Sequence, residues 1–264
     1  MRKILLKSLI IKIIILVYNK MDISEIPNDI VLTLPKFNCD TPLGEIPQPL
    51  PSQYFYMVFS APPRSGKTST AISLLTTKNS KKSGKRKIYR GVFDNIIVVA
   101  PSNSLKSLKK SPFEELDEDK VYNELDYESL EEIYNKILEY RDEDENTLLY
   151  IDDMASRLKD HNLLEFFNMM VSNRRHLKLS IMVLTQYLNS IPLSNRRLIS
   201  HCFIWKSNNK KEYDSIYNEL IPMNRKQFEE ICRYCFRKKH DHIFLDCDEG
   251  KLYRNFNLLK YDED

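Results

Sequence analysis

The sequence predicts an α/β protein: three αβα layers on a mostly parallel central sheet, with a small C-terminal helix–hairpin extension. Three observations predict it. Short apolar runs of strand length alternate with helix-length stretches, the order that gives parallel pairing and right-handed crossovers. The first of these runs leads into a glycine-bearing loop that opens a helix. A later run ends in two adjacent aspartates.

Taken in order, residues 1–20 are basic and apolar, with Lys7 and Lys12 interrupting Ile- and Leu-rich runs. This is short for a membrane span, which takes about 20 predominantly apolar residues, and no small-residue cleavage site follows. Two readings stand: translation that starts at Met21, or an anchor to a membrane or capsid surface. Residues 21–53 carry Pro27, Pro35, Pro42, Pro47, Pro49 and Pro51 and read as an extended arm. Residues 54–258 are expected to form one domain, and 259–264 a tail.

Within that domain, Tyr54–Ser60 is an apolar run between prolines, a buried strand by length and composition. A helix follows from Gly66 to Thr77, then a basic loop (Lys81, Lys82, Lys85, Arg86, Lys87, Arg90) and a β-branched run, Asn95–Ala100. Leu130, Ile133, Tyr134, Ile137 and Leu138 fall on one face of a helix over 127–141. Strand-like runs recur at 147–151, 179–185 and 200–206. A helix over 224–238 and strands at 242–247 and 251–256, turning about Asp248–Gly250, close the chain.

At 264 residues the chain buries a sizeable core without staples. Its net charge of +3 hides an asymmetry: fifteen acidic and three basic side chains lie between Glu114 and Glu145, so the remainder is strongly basic. Such segregation suits a protein with a basic face toward a polyanion, and equally an acidic insert on an ordinary surface. Five cysteines, odd in number, do not describe a secreted disulfide framework.

The chemistry-bearing residues begin at Ala61-Pro62-Pro63-Arg64-Ser65-Gly66-Lys67-Thr68, followed by Ser69. This is a Walker A pattern with Ala61 at the opening glycine position, in the strand–loop–helix context the motif requires. Backbone N–H groups at the helix start cradle phosphates, Lys67 neutralises the β- and γ-phosphates of ATP, and the Thr68 hydroxyl binds Mg²⁺. Leu148-Leu149-Tyr150-Ile151-Asp152-Asp153 supplies the paired acids at a strand's carboxyl end. Asp152 would hold Mg²⁺ through water, and Asp153 would orient and deprotonate the attacking water. The second acid favours ATP hydrolysis over simple nucleotide binding. Gln186, ending the run Leu179–Thr185, is a candidate γ-phosphate contact or an ordinary loop residue. Arg174 and Arg175 precede that run as surface charge or as a charge donor across a subunit interface. Arg196 and Arg197 are candidates for DNA phosphates.

The Walker A segment, "LLYIDD", "NRRHLKLSIMVLTQYLNSIP" and the closing "HIFLDCDEGKLYRNF" together resemble the genome-packaging ATPases of large DNA viruses, within the FtsK–HerA superfamily of P-loop ATPases. The resemblance spans roughly residues 54–258, and its most specific part runs from Arg175 to Pro192. It implies a three-layer P-loop NTPase fold and nucleotide binding by Lys67 and Thr68. Asp152 is then the Mg²⁺ ligand, Asp153 the catalytic acid, Gln186 the sensor and Arg175 the arginine finger. Double-stranded DNA, a homo-oligomeric ring and a capsid or portal-vertex protein are the implied partners, in the virion or the host-cell cytoplasm. Ala61 departs from the family's more usual glycine. A cellular or plasmid DNA translocase of the same superfamily and a nucleotide-gated assembly factor are the alternatives. Cys232, Cys235, His240, His242 and Cys247 invite a zinc reading. Zinc is not expected, because the pairs fall on a helix and in a hairpin, where buried cysteine is common.

Overall fold

The structure, a computed structural model, describes residues 42–77, 88–102, 112–113 and 116–261. The apolar segment 1–20, the arm up to residue 41, most of the basic loop, Glu114, Glu115 and the last three residues lie outside the described residues. No helix among the described residues is long and apolar enough to cross a membrane.

Nine strands of the described residues form one sheet in the order β3-β2-β4-β5-β1-β6-β7-β8-β9. β1 (Tyr56–Ser60), β4 (Thr147–Asp152) and β5 (Leu179–Thr185) are buried along their whole length. Such continuously apolar strands belong to a parallel sheet covered on both faces. β1 pairs in parallel with β5 on one side and with β6 (His201–Trp205) on the other. β4 lies between β5 and β2 (Asn95–Val99), also parallel. A two-residue β3 (Val121–Tyr122) ends this side of the sheet. Alternation along each strand feeds two cores. Tyr56, Val58, Leu149 and Ile151 face one, while Met57, Phe59, Leu148 and Tyr150 face the other.

The helices cover these faces, and their ends are written in the sequence. α1 (Lys67–Thr76) starts at Gly66 with no side-chain cap. α2 (Tyr127–Asp142) carries a capping box from Asp126 and Ser129, and buries Leu130, Ile133 and Ile137 as the apolar stripe requires. Asp160 caps α3 (His161–Ser172). A single turn, α4 (Leu193–Arg196), follows β5. α5 (Lys210–Leu220) is capped by Asn209, and α6 (Arg225–Cys235) by Asn224 and Gln227.

The closing hairpin is part of the sheet. β7 (His242–Asp246) pairs antiparallel with β6, β8 (Lys251–Arg254) with β7, and β9 (Asn257–Leu258) with β8. The extension is therefore the continuation of the sheet beyond β1 and β6, and it carries the last strands out to one edge while β1 stays in the centre.

Candidate functional site

Parallel strands carry their last residues to one edge of the sheet, where ligands bind. Ser60, Asp152 and Thr185 end β1, β4 and β5 there, with Ser60 paired to Thr185 and Asp152 to Leu184. The loop after β1 turns on a Ser65 N–H to Pro62 carbonyl hydrogen bond of 3.3 Å, with Arg64 (φ 64°) and Gly66 (φ 104°) left-handed. Adding a Cβ at Gly66 would bring it to 3.3 Å from His240 Nδ1, so glycine there serves both the turn and a close neighbour. The uncapped start of α1 leaves backbone N–H groups directed at this edge, the arrangement that receives anions.

A depression of about 380 Å³ lies over the loop, lined by Pro62 to Ser69 together with Asp153, Gln186 and His240. Ala61, buried, sits beneath it and donates its N–H to the Thr185 carbonyl at 3.1 Å. Lys67 is buried, and its ammonium pairs with the Asp153 carboxylate. Asp153 stands in the left-handed region (φ 53°), held by its N–H to the Leu184 carbonyl at 2.9 Å. A non-glycine residue kept there is strained, and such strain gathers at working sites.

Asp152 differs from its neighbour. Its side chain is buried and its Oδ1 has no hydrogen-bond partner among the described residues. Burial pushes its carboxyl up from 3.8 to about 6; Lys67 opposes the rise and the Asp153 charge adds to it. An oxygen ligand buried without a proton donor fits a hard divalent cation. Thr68, half-buried at the start of α1, is the second candidate ligand.

Thus Lys67, Thr68, Asp152, Asp153 and Gln186 share one edge. Arg175 does not join them. It is exposed, four residues before β5, at the opposite edge of the sheet, about 20 Å away by the rise of a seven-residue strand. Arg174 beside it is turned inward, with Nε donating to the Tyr54 carbonyl at 3.3 Å and Nη1 to the Val171 carbonyl at 3.1 Å. The expected DNA pair also divides. Arg196 is buried, ion-paired with Glu219 at 2.6 Å and bonded to Asn189 Oδ1 at 2.8 Å, so it belongs to the fold; Arg197 is exposed. Cys232 and Cys235 lie on α6, whereas His242 opens β7 and Cys247 follows its far end.

Three residues at the site carry no motif signature. Glu212, buried on α5, accepts hydrogen bonds from Ser60 Oγ and from the Leu188 N–H, both at 2.6 Å. One carboxylate therefore ties the end of the Walker A strand to the turn after Gln186. Its only sequence trace is an acid four residues before Ile216, on the buried stripe of α5. His240 Nδ1 donates to the Ser65 carbonyl at 2.9 Å from 175 residues away. His242 is buried with both ring nitrogens unpartnered among the described residues, and burial lowers its pKa to about 4, leaving it neutral. The sequence marks both histidines only through the zinc reading, and nothing local places either beside the phosphate loop.

A family model described as "Poxvirus A32 protein" matches residues 48–231. No curated protein matches the chain. Among solved structures, the genome packaging NTPase B204 from Sulfolobus turreted icosahedral virus 2, in complex with ATP-gammaS, is similar at 14% identity and TM-score 0.55. That match covers 78% of this chain and 98% of the other. B204, the DNA-packaging ATPase from Sulfolobus turreted icosahedral virus, is similar at 13% identity and TM-score 0.56, covering 76% and 96%. At these identities the likeness is one of fold.

Proposed function

Because this chain belongs to the poxvirus A32 protein family, we propose that it is an ATP-hydrolysing motor that packages viral double-stranded DNA into a capsid. The observation that carries the reading is the meeting of Lys67, Asp152, Asp153 and Gln186 at one sheet edge above an uncapped helix start. B204, which has the same fold, is described as packaging DNA and binds an ATP analogue.

In this reading the phosphates of ATP lie on the N–H groups of the loop from Ala61 to Ser69, with the Lys67 ammonium against the β- and γ-phosphates. Thr68 and Asp152 would hold Mg²⁺, which when bound neutralises phosphate charge. Phosphate oxygens compete with Asp153 for Lys67, and the released carboxylate accepts a proton from water as that water attacks the γ-phosphorus. Gln186 orients the same water. The bond to the β,γ-bridging oxygen breaks, leaving ADP and inorganic phosphate. Arg175, remote from its own site, acts on a neighbour's nucleotide in a homo-oligomeric ring. The ring works on the virion or in the host cytoplasm, against a capsid or portal-vertex protein.

The test is ATP turnover by the purified chain with and without double-stranded DNA. DNA-stimulated hydrolysis, abolished by Lys67→Ala in a folded protein, is expected. Normal turnover by folded Lys67→Ala would overturn the site. Turnover indifferent to DNA would favour a nucleotide-gated assembly factor over a motor.

A further inference from the structure

A second groove, about 460 Å³ and largely apolar, continues the phosphate depression along α1, sharing Gly66, Ser69 and His240 with it. Its walls include Ser73, Thr77 and Ile88 on one side and His240, His242 and Phe256 on the other. It leaves the loop on the side of β6 and β7, away from Asp152, Asp153 and Gln186. A nucleotide with its terminal phosphate toward those acids must extend its other end here.

Two features mark the far wall as more than packing. Phe256 sits at φ 75° behind Asn255 at φ 47°, in the turn joining β8 and β9 across the Arg254–Asn257 pair. A two-residue hairpin turn with both central residues left-handed prefers Asn followed by Gly. Asn255 obeys and Phe256 does not, so the phenyl ring is held at a strained position. Asn255 fixes the turn: its Oδ1 accepts from the His242 N–H and its Nδ2 donates to Asp241 Oδ1, at 2.9 and 2.8 Å. The second feature is His242, a residue of the groove wall whose ring lies 5.3 Å from that of Phe256, centre to centre, and whose two nitrogens are buried without a partner among the described residues.

We propose that this groove binds the nucleoside half of ATP, with the adenine ring stacked on Phe256 and its polar edge read by His242. The proposal rests on the ATP reading above and deepens it. Stacking holds a base by its π-face, and pairing a buried orphaned imidazole with a base nitrogen or amine satisfies a group otherwise left without a partner. The volume suits a ligand of this size.

The test compares binding of ATP and of inorganic triphosphate to the full chain by calorimetry. Phe256→Gly suits the turn but removes a ring packed against Phe203 and Phe244, so its folding is checked by thermal melting first. It is expected to weaken ATP about tenfold and leave inorganic triphosphate within about twofold, while Phe256→Tyr keeps both affinities. Equal loss of both ligands, or unchanged ATP affinity in a folded Phe256→Gly protein, overturns the proposal. Should Phe256→Gly fail to fold, His242→Phe carries the same comparison: ATP alone should weaken, and an unchanged ATP affinity overturns it. Wild-type protein that binds neither probe removes the nucleotide reading itself, and the proposal with it, a result distinct from both losses above.

Discussion

At the scale of single residues, the two adjacent aspartates do opposite things to stability. Asp153 is balanced by Lys67, whereas Asp152 is buried with an oxygen unpartnered among the described residues. Its carboxyl titrates near 6 in the folded chain against 3.8 unfolded, so the folded state holds the extra proton between those values. Stability therefore falls as pH rises through that window, by about 3 kcal/mol once above it. Asp152→Asn keeps the shape without the charge. It should melt above the wild type at pH 8, by roughly 5 °C or more, match it below pH 4, and lose ATP turnover. Thermal unfolding at the two pH values checks this; coincident melting at pH 8 would refute it. Divalent-cation affinity should weaken below about pH 6, since the ligand must be ionised. The motif residues were legible in sequence because each is announced by its neighbours: Lys67 by the loop, Asp152 by the apolar run before it. Arg196 reads in sequence as a DNA-phosphate candidate, not a buried ion pair, because its partner, Glu219, is 23 residues on and no local pattern connects them.

Among elements, α5 has the least obvious task. Its exposed face reads as an ordinary charged helix, yet Glu212 reaches inward to join the ends of β1 and β5. Glu212→Ala would leave the Ser60 hydroxyl and the Leu188 N–H buried without that acceptor, a loss of about 2–4 kcal/mol. Turnover should fall more than ATP affinity, because the Gln186 turn loses its tether while the phosphate loop keeps its own hydrogen bonds. Glu212→Gln retains one acceptor oxygen and should recover most of the stability. Chemical denaturation beside separate kcat and KM values tests the pair, and equal behaviour of the two variants would argue against a tether. The strands of four or more residues, α1 and α2 fall within two residues of their expected bounds, since apolar runs and the helical stripe act locally. The helix expected over 224–238 ends three residues early, at Cys235, and α3 and α5 are given no bounds by the sequence. Short β3 and β9 were not legible, because two residues carry no periodicity and exist only by pairing.

For the whole molecule, the separation of Arg175 from the acids has a testable form. If it serves a neighbour, Arg175→Ala keeps nucleotide affinity and loses hydrolysis by a thousandfold or more. Mixing it with Asp153→Asn restores part of the rate, because some interfaces then join an intact Asp153 to an intact Arg175. A mixture that co-assembles and stays inactive excludes the arrangement. DNA binding should be independent of sequence and fall steeply with salt. Arg197→Glu should weaken it in a stable protein, whereas Arg196→Glu should destabilise the fold by breaking the Glu219 pair. Filter binding and melting curves distinguish the two, and equal effects on DNA would return Arg196 to the surface. The hydrogen bond between His240 and Ser65 has a different consequence, one of timing. Chains leave the ribosome N-terminus first at roughly 5–20 residues per second. The phosphate loop is thus synthesised ~10–35 s before the histidine that backs it. β1 in turn waits for β5 and β6, and β6 waits for the hairpin. A nascent chain stopped short of residue 240 carries every Walker residue and no far wall, so a finished site is born only once the closing hairpin has been made.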